Sequence, residues 1–447
     1  MTYFIDPFGC VKNQVDAENM MALLDKAGWT AAAAEHADLI IINSCGFIES
    51  AKRESINAVL GWRRLYLEKK ILLAGCLAQR YAKELAADLN EADGFFGTDD
   101  IAGITEAAAR TMARSPDAAG AAANAARAAL RVRPGRRPLL SLPGSAYVKI
   151  SEGCDNRCSF CAIPLIRGNM RSRSAAGIIG ECKDLLRRGI RELCIIGQDI
   201  GSYSGCTGGE KSAGGLPGLM EALSLLDGNF WVRLLYIHPD HFPLPILDIM
   251  EKDRRFLPYF DIPFQHGSEK ILRAMNRRGN AGTYLDLIKT IRRRFPGAVI
   301  RSTLMTGFPG ETEEDFNLLL DFQKKACLDW LGCFAYSREE DTAAWGMKGR
   351  VSKKTAAERK RLIEERQIPI TEKRMDQFIG RTLDVLVEEE IEASEGEDTM
   401  YLGRLYCQAP EVDGAAVISG QRSLKSGELI LCRVFARAGF DLEVRPL

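Results

Sequence analysis

KISEGCDNRCSFCAIPLIRGNMRSR, residues 149–173, sets Cys154, Cys158 and Cys161 in a C-x-x-x-C-x-x-C run. A structural zinc site closes its tetrahedron with four ligands in paired spacing, and only three cysteines are packed here. Three thiolates suit three corners of a 4Fe-4S cube and leave the fourth iron open to a small molecule. The alternative, a structural metal loop or a loose surface thiol cluster, does not explain a set that stops one ligand short.

In chemistry of this kind the open iron takes the amino and carboxylate groups of S-adenosylmethionine, so the loop reads as a radical generator. Phe160, one residue before the third cysteine, fits the aromatic place of the radical-SAM signature, where its ring would flank the adenine. A chain of 447 residues has room for two to four domains with large cores. Its 60 basic and 60 acidic residues cancel, so no global charge announces nucleic acid, and asymmetry has to be sought locally. The start, MTYFIDPF, lacks a basic region followed by an apolar core, and no window is apolar enough to span a membrane. Thirteen cysteines in such a chain suit metal ligands and buried thiols better than disulfides, which points to a reducing, cytoplasmic setting.

Outward toward the amino terminus, Tyr3 to Phe8, Leu39 to Asn43 and Ile71 to Ala74 read as buried parallel strands. Amphipathic helices are predicted to follow from near Gln14, Phe47 and Gln79, which makes a doubly wound α/β layer. Ligands gather beyond the carboxyl ends of such strands, where Cys10, Cys45 and Cys76 each lie. Singly, each is best read as a small buried thiol. Beside the first loop, the three read together as ligands of a second cluster, with Gly9, Gly46 and Gly75 letting the backbone approach it.

Residues 113–143 are rich in alanine and then in arginine and proline, and read as a linker. From 144 to 375 a strand-helix pattern gives six strands: Ala146–Ile150, Leu193–Ile196, Val232–Ile237, Tyr259–Ile262, Val299–Met305 and Trp330–Ala335. A partial barrel of six β/α units is predicted, with its active face at the strand ends. Gln198, Asp199, Thr306 and Gly307 stand there as cofactor contacts, with His238, Asp240, His241, Gln265, His266, Tyr336 and Ser337 beside them. The glycine-rich stretch 201–215, with Cys206, reads as a surface insertion. Lys353 to Arg374 is a charged helix that Pro369 should end or kink. Residues 376–447 turn to five short strands, a small antiparallel barrel. From Met375 onward 7 basic residues face 14 acidic ones, a net of −7, with Glu388, Glu389, Glu390 and Glu392 concentrating the charge.

Six longer stretches carry a resemblance: GCVKNQVDAE from Gly9, NSCGFIESAK from Asn43, YFDIPFQHGS from Tyr259, RSTLMTGFPGETEEDF from Arg301, GCFAYSREE from Gly332 and APEVDG from Ala409. With two cysteine trios and a terminal β-barrel in this order, nearly the whole chain resembles a radical-SAM methylthiotransferase. Within that family the stretches are most similar to the branch acting on ribosomal protein uS12. The resemblance implies a cluster domain at 1–112, a radical-SAM barrel at 144–375 and a TRAM domain at 376–447. It implies two 4Fe-4S clusters, one on Cys154, Cys158 and Cys161 that cleaves S-adenosylmethionine to a 5′-deoxyadenosyl radical. The other, on Cys10, Cys45 and Cys76, would donate sulfur. The radical would take hydrogen from the β-carbon of a uS12 aspartate, and a methylthio group would replace it. A one-electron reductant of flavodoxin or ferredoxin type, a monomeric state and no membrane partner complete that expectation. A tRNA adenosine methylthiotransferase shares the chemistry, but an acidic barrel would repel a polyanion and attract a basic protein. A non-catalytic iron–sulfur redox sensor is the reading from another class. The Gln198-Asp199 and Gly307-Phe308-Pro309-Gly310-Glu311 segments argue against it, because a sensor needs no S-adenosylmethionine pocket.

Overall fold

In the computed structural model the described residues are 1–113, 137–205, 214–391, 399–420 and 423–447. Most of the expected linker 113–143, Cys206 with most of the glycine-rich stretch, and Glu392 lie outside them. One compact unit comprises 1–140, 152–170 and 337–345, the other 141–151, 171–336 and 346–447.

The first unit is a five-stranded sheet of Thr2–Pro7 (β1), Thr30–Ala31 (β2), Leu39–Ser44 (β3), Lys70–Gly75 (β4) and Gly94–Phe96 (β5). Its order is β2-β1-β3-β4-β5, and every pairing is parallel. The connecting helices are Val11–Lys26 (α1), Glu49–Leu65 (α2), Cys76–Arg80 (α3), Ala82–Asp88 (α4) and Ile104–Met112 (α5), with Ile163–Arg167 (α6) supplied by the cysteine loop. Strand β3 reads L-I-I-I because both its faces are covered. Leu39 and Ile41 join Tyr3, Met20 and Leu24 on one face, while Ile40 and Ile42 join Val59, Leu77 and Leu85 on the other. Each of those four side chains contributes about 1.5–3 kcal/mol on burial.

Three expected strands are present, and the helices after them start at Val11, Glu49 and Cys76. The first begins earlier than Gln14 because Cys10, extended at φ −94°, caps it, its carbonyl accepting from the N–H groups of Asn13 and Gln14. The two- and three-residue strands β2 and β5 are too short to carry a period and were not expected.

In the second unit, Ser145–Lys149 (β6) opens a six-stranded sheet, and Ser151–Glu152 (β7) pairs with Arg171–Ser172 (β8) as a separate ribbon. The sheet continues through Glu192–Ile196 (β9), Trp231–Leu234 (β10), Phe256–Asp261 (β11), Val299–Thr306 (β12) and Trp330–Ala335 (β13). It is parallel throughout, in the order β13-β12-β11-β10-β9-β6, which is the expected six-unit partial barrel. Its crossover helices are Ala175–Arg187 (α7), Gly215–Ser224 (α8), Ile246–Lys252 (α9), Glu269–Ala274 (α10), Ala281–Arg294 (α11) and Glu313–Ala326 (α12).

Lys353–Asp376 (α13) continues through Pro369, so the end expected there is absent. Tertiary bonds hold the helix on both sides of the proline. Gln367 Nε2 donates to Leu328 O at 2.8 Å, Thr371 Oγ1 to Asp329 O at 2.9 Å, and Arg374 Nε pairs with Asp329 at 2.7 Å. Together they outweigh a local cost of about 3 kcal/mol.

The chain ends in a closed barrel of Thr382–Ile391 (β14), Met400–Leu405 (β15), Ala416–Ser419 (β16), Leu429–Ala438 (β17) and Asp441–Pro446 (β18). Four of its pairings are antiparallel as expected, and β16 pairs with β18 in parallel. This barrel is fixed to the amino ends of the sheet strands by buried charge. Glu192, first in β9, meets Arg233 at 2.7 Å and Arg404 at 2.5 Å, and accepts from Ser145 at 2.8 Å, while Arg404 also pairs with Glu388. Asp413 accepts from Tyr259 at 2.6 Å and pairs with Arg301 at 2.6 Å. The carboxyl ends, where ligands gather in such sheets, lie opposite that attachment. Among the described residues no helix is long and apolar enough to cross a membrane.

Candidate functional site

Cys10 caps α1, Cys45 follows β3 and Cys76 opens α3, so each sits at a strand-to-helix turn of the first sheet. The loops press against one another. Gly9 has φ +91°, and a Cβ there would stand 2.9 Å from Cys45 Cβ and 3.4 Å from its Sγ. Gly75 has φ +96°, and a Cβ there would fall 2.5 Å from Ser44 O. These glycines serve loop-to-loop approach, a use that the expectation of backbone nearing a cluster did not include. Asn13 fastens the junction: its Nδ2 donates to Phe8 O at 3.2 Å and Ser44 O at 2.9 Å, and its Oδ1 accepts from Cys76 Sγ at 3.3 Å. Asn43 Nδ2 donates back to Asn13 O at 2.6 Å.

The three thiols are unequal. Burial pushes Cys10 up, but the charges of Lys12 and Arg167 and the backbone N–H groups of Asn13 and Lys12 hold it below the ordinary thiol value. Burial raises Cys45, with a further rise from the Cys10 charge, and pushes Cys76 up to about 12 against the pull of Arg167. Cys10 makes both of the others harder to ionise, which places the three sulfurs in one field. Bound cations relieve that repulsion, and thiolates bind them once deprotonated.

The second trio lies in the stretch 152–170 of the same unit, with all three sulfur-bearing residues half-buried. Cys154 N–H donates to Gly168 O at 3.2 Å and Cys161 N–H to Cys158 O at 3.0 Å, while Asp155 accepts from Met170 N–H at 3.1 Å. Phe160 is half-buried within this turn. Among the described residues no three His, Cys, Asp or Glu side chains stand close enough to hold a single metal ion. A cube seats each thiolate on its own iron and so spreads them wider than one ion does. Two turns, each offering three thiols and held by backbone bonds, fit that larger group.

Two buried charged residues of this unit were not read from the sequence. Arg167, at the end of α6, is 2% exposed and reaches Cys76 Sγ at 3.2 Å, Asn13 Oδ1 at 2.5 Å, Asp16 at 2.9 Å and Glu152 at 2.7 Å. Its only signal was a lone charge in the apolar run I-P-L-I-R. Glu339 pairs with Lys52 at 2.8 Å and Arg80 at 2.9 Å, and so ties 337–345 to α2 and α3. A cleft of about 490 Å³ lined by Ile56, Leu77, Tyr81, Leu85 and Leu89 also opens in this unit, and none of the six cysteines lines it.

The remaining candidates belong to the second unit, except Ser337, which lies in the first. Gln198 and Asp199 follow β9. Asp199 Oδ1 accepts from Gly201 N–H at 3.0 Å and His238 N–H at 3.1 Å, and its Oδ2 from Ser202 at 2.7 Å, with His241 Nδ1 at 3.3 Å. That hydrogen bond raises the His241 pKa, whereas burial, aided by Arg277, pushes His238 down to about 3. Thr306 donates to Ala356 O at 2.9 Å and Gly307 N–H to Glu311 at 2.8 Å, so both meet α13 and its neighbour Glu311. Glu311 is buried between His266, at 3.5 Å, and Arg359, at 2.6 Å.

Comparison with known proteins matches residues 2–97 to the uncharacterized protein family UPF0004, 148–322 to the radical SAM superfamily and 379–446 to the TRAM domain. The chain is 47% identical to the ribosomal protein uS12 methylthiotransferase RimO of Treponema denticola, over 98% of this chain and 99% of that one. It is 39% identical to the protein of that name from Syntrophomonas wolfei, over 97% of each. Among solved structures, a radical S-adenosylmethionine methyltransferase from Kitasatospora setae, with cobalamin and a 4Fe-4S cluster bound, shares the fold. The TM-score is 0.55 at 14% identity, covering 76% of this chain and 72% of that one.

Proposed function

Since this chain belongs to the radical-SAM methylthiotransferase family and aligns end to end with uS12 methylthiotransferases, we propose that it replaces a hydrogen on the β-carbon of a uS12 aspartate with a methylthio group. The observation that carries this reading is the pair of cysteine trios, each one thiolate short of a full set, in a chain so aligned. A C–H bond on saturated carbon offers no acid–base handle, so side chains alone cannot start the reaction. When bound, one cluster with S-adenosylmethionine would supply hydrogen abstraction and the other the sulfur.

The chain's own residues hold, orient and exclude. Cys154, Cys158 and Cys161 hold the first group, with Phe160 against the nucleoside. Cys10, Cys45 and Cys76 hold the second. Gln198 and Asp199 are the proposed polar contacts for S-adenosylmethionine. Asp199 can act there as the brace that fixes the β9 and β10 turns. Thr306 and Gly307 would shape the pocket wall by position, since the threonine hydroxyl is taken by Ala356 and the glycine N–H by Glu311. We assign sulfur delivery to 1–112, radical chemistry to 144–375 and substrate docking to 376–447, with 113–143 as the linker. A flavodoxin- or ferredoxin-type donor would feed electrons to a cytoplasmic monomer.

Mass spectrometry of uS12 from cells with and without this chain tests the reading. The expected result is loss, without the chain, of the mass of one methylthio group in place of one hydrogen. An unchanged uS12 mass would overturn it. The Cys10, Cys45 and Cys76 to alanine triple variant should still cleave S-adenosylmethionine while making no product, and normal product from it would refute the donor role.

A further inference from the structure

Helix α6 is five residues long and follows Cys161 directly. Its apolar side is explained by packing: Ala162 and Ile166 form a small buried cluster with Cys76. An arginine at the end of so short a helix ordinarily carries its head to water. Arg167 instead turns inward and is 2% exposed. Burying a guanidinium costs several kcal/mol unless its donors are matched, and here they are shared between two regions of sequence. Nη1 takes Glu152, two residues before Cys154, at 2.7 Å. Nη2 faces Asp16 at 2.9 Å, Asn13 Oδ1 at 2.5 Å and Cys76 Sγ at 3.2 Å.

Asp16 and Glu152 are enough to neutralise the cation, so ion pairing alone does not account for the sulfur contact. Cys76 is 5% exposed, and a thiolate buried to that degree needs a donor. A planar fork with several fixed N–H groups can donate to a carboxylate, an amide oxygen and a sulfur at once while its charge pairs with a second carboxylate, which a lysine ammonium cannot do with the same geometry. We propose that Arg167 is a positioning residue shared by the two cysteine trios: it donates a hydrogen bond to the Cys76 sulfur and ties it, through Glu152, to the neck of the Cys154 loop. This rests on the two-cluster reading above. Hydrogen bonds and positive charge at a ligand sulfur stabilise the reduced cluster and raise its potential. Arg167 therefore sets the potential of the cluster on Cys10, Cys45 and Cys76, whereas it reaches the Cys154 loop through the Glu152 carboxylate.

The test is an anaerobic potentiometric titration, followed by electron paramagnetic resonance, of the reconstituted full chain, Arg167→Lys and Arg167→Gln. The two triple cysteine variants assign the signals. In Arg167→Lys the midpoint of the Cys10, Cys45 and Cys76 cluster should move to a more negative value, and in Arg167→Gln further still, with the other midpoint unmoved. Selective loss of iron from the Cys10 trio alone in either variant would also support the role. Unmoved midpoints with both clusters in place would overturn it. So would equal shifts of both midpoints, or equal loss of both clusters in Arg167→Lys, since these mark general loosening. Iron content of the wild-type chain reports separately on the two-cluster reading, and the uS12 mass reports separately on the substrate.

Discussion

Gly75 shows how little room the first cysteine trio leaves. Its φ of +96° and the 2.5 Å approach of any Cβ to Ser44 O mean that alanine there meets both backbone strain and a backbone atom. Gly75→Ala should cost at least about 1–3 kcal/mol and deplete iron at that trio. The checks are melting temperature and iron per chain, and an unchanged pair of values would mean the loops have slack. Glu339 makes a second prediction. Burial raises its pKa, but hydrogen bonds from Lys52 and Ser337 and the charges around it bring it below 4.5. A depressed carboxylate stabilises the fold above its unfolded value and loses that contribution as pH falls through the folded one. Glu339→Gln should therefore lower the melting temperature near neutral pH and narrow the gap from wild type in acid. A gap independent of pH would contradict it. The places of the six cysteines were legible because spacing, or position at a strand end, locates each of them locally. Arg167 and Asn13 were not, because their meeting spans 154 residues and no local pattern encodes it.

At the level of elements, the long parallel strands were readable because two-sided burial demands unbroken apolar runs, as in L-I-I-I of β3. Their ends were less so. Cys10 serves as the cap of α1 in extended backbone without a side-chain hydrogen bond, and no capping rule selects cysteine. The helix α13 was legible as a helix, but the end expected at Pro369 is absent. Pro369 lies inside it, held from both sides by Gln367, Thr371 and Arg374. Because the missing N–H and ring clash are borne by tertiary bonds, Pro369→Ala should stabilise the chain by up to about 3 kcal/mol. Denaturant unfolding checks this, and an equal or lower stability would assign the proline a role of its own.

Across the whole chain, charge counted from sequence differs from charge presented to a partner. Of the acids in the terminal barrel, Asp413 is buried against Arg301 of the sheet and so is cancelled inside the molecule, whereas Glu388 and Arg404 are both already inside the net of −7. The Asp413–Arg301 pair fastens the barrel to its sheet. Burial raises Glu192, yet Arg404 and Arg233 bring it down to about 2. Its contribution, about 3 kcal/mol, is complete above pH 4.5 and disappears as pH falls toward about 2. Glu192→Gln should destabilise the second unit by about 3–5 kcal/mol at neutral pH, because two buried arginines lose their shared partner. Chemical denaturation measures it, and a loss below about 1 kcal/mol would show that water replaces the carboxylate. The two cysteine trios bear on everything else proposed for this chain, and one measurement addresses them directly. Anaerobic iron analysis with Mössbauer spectroscopy should find two 4Fe-4S cubes, about eight irons, per wild-type chain and half that in each triple cysteine variant. A single cube in the wild-type chain would contradict the assignment of separate radical and sulfur sites.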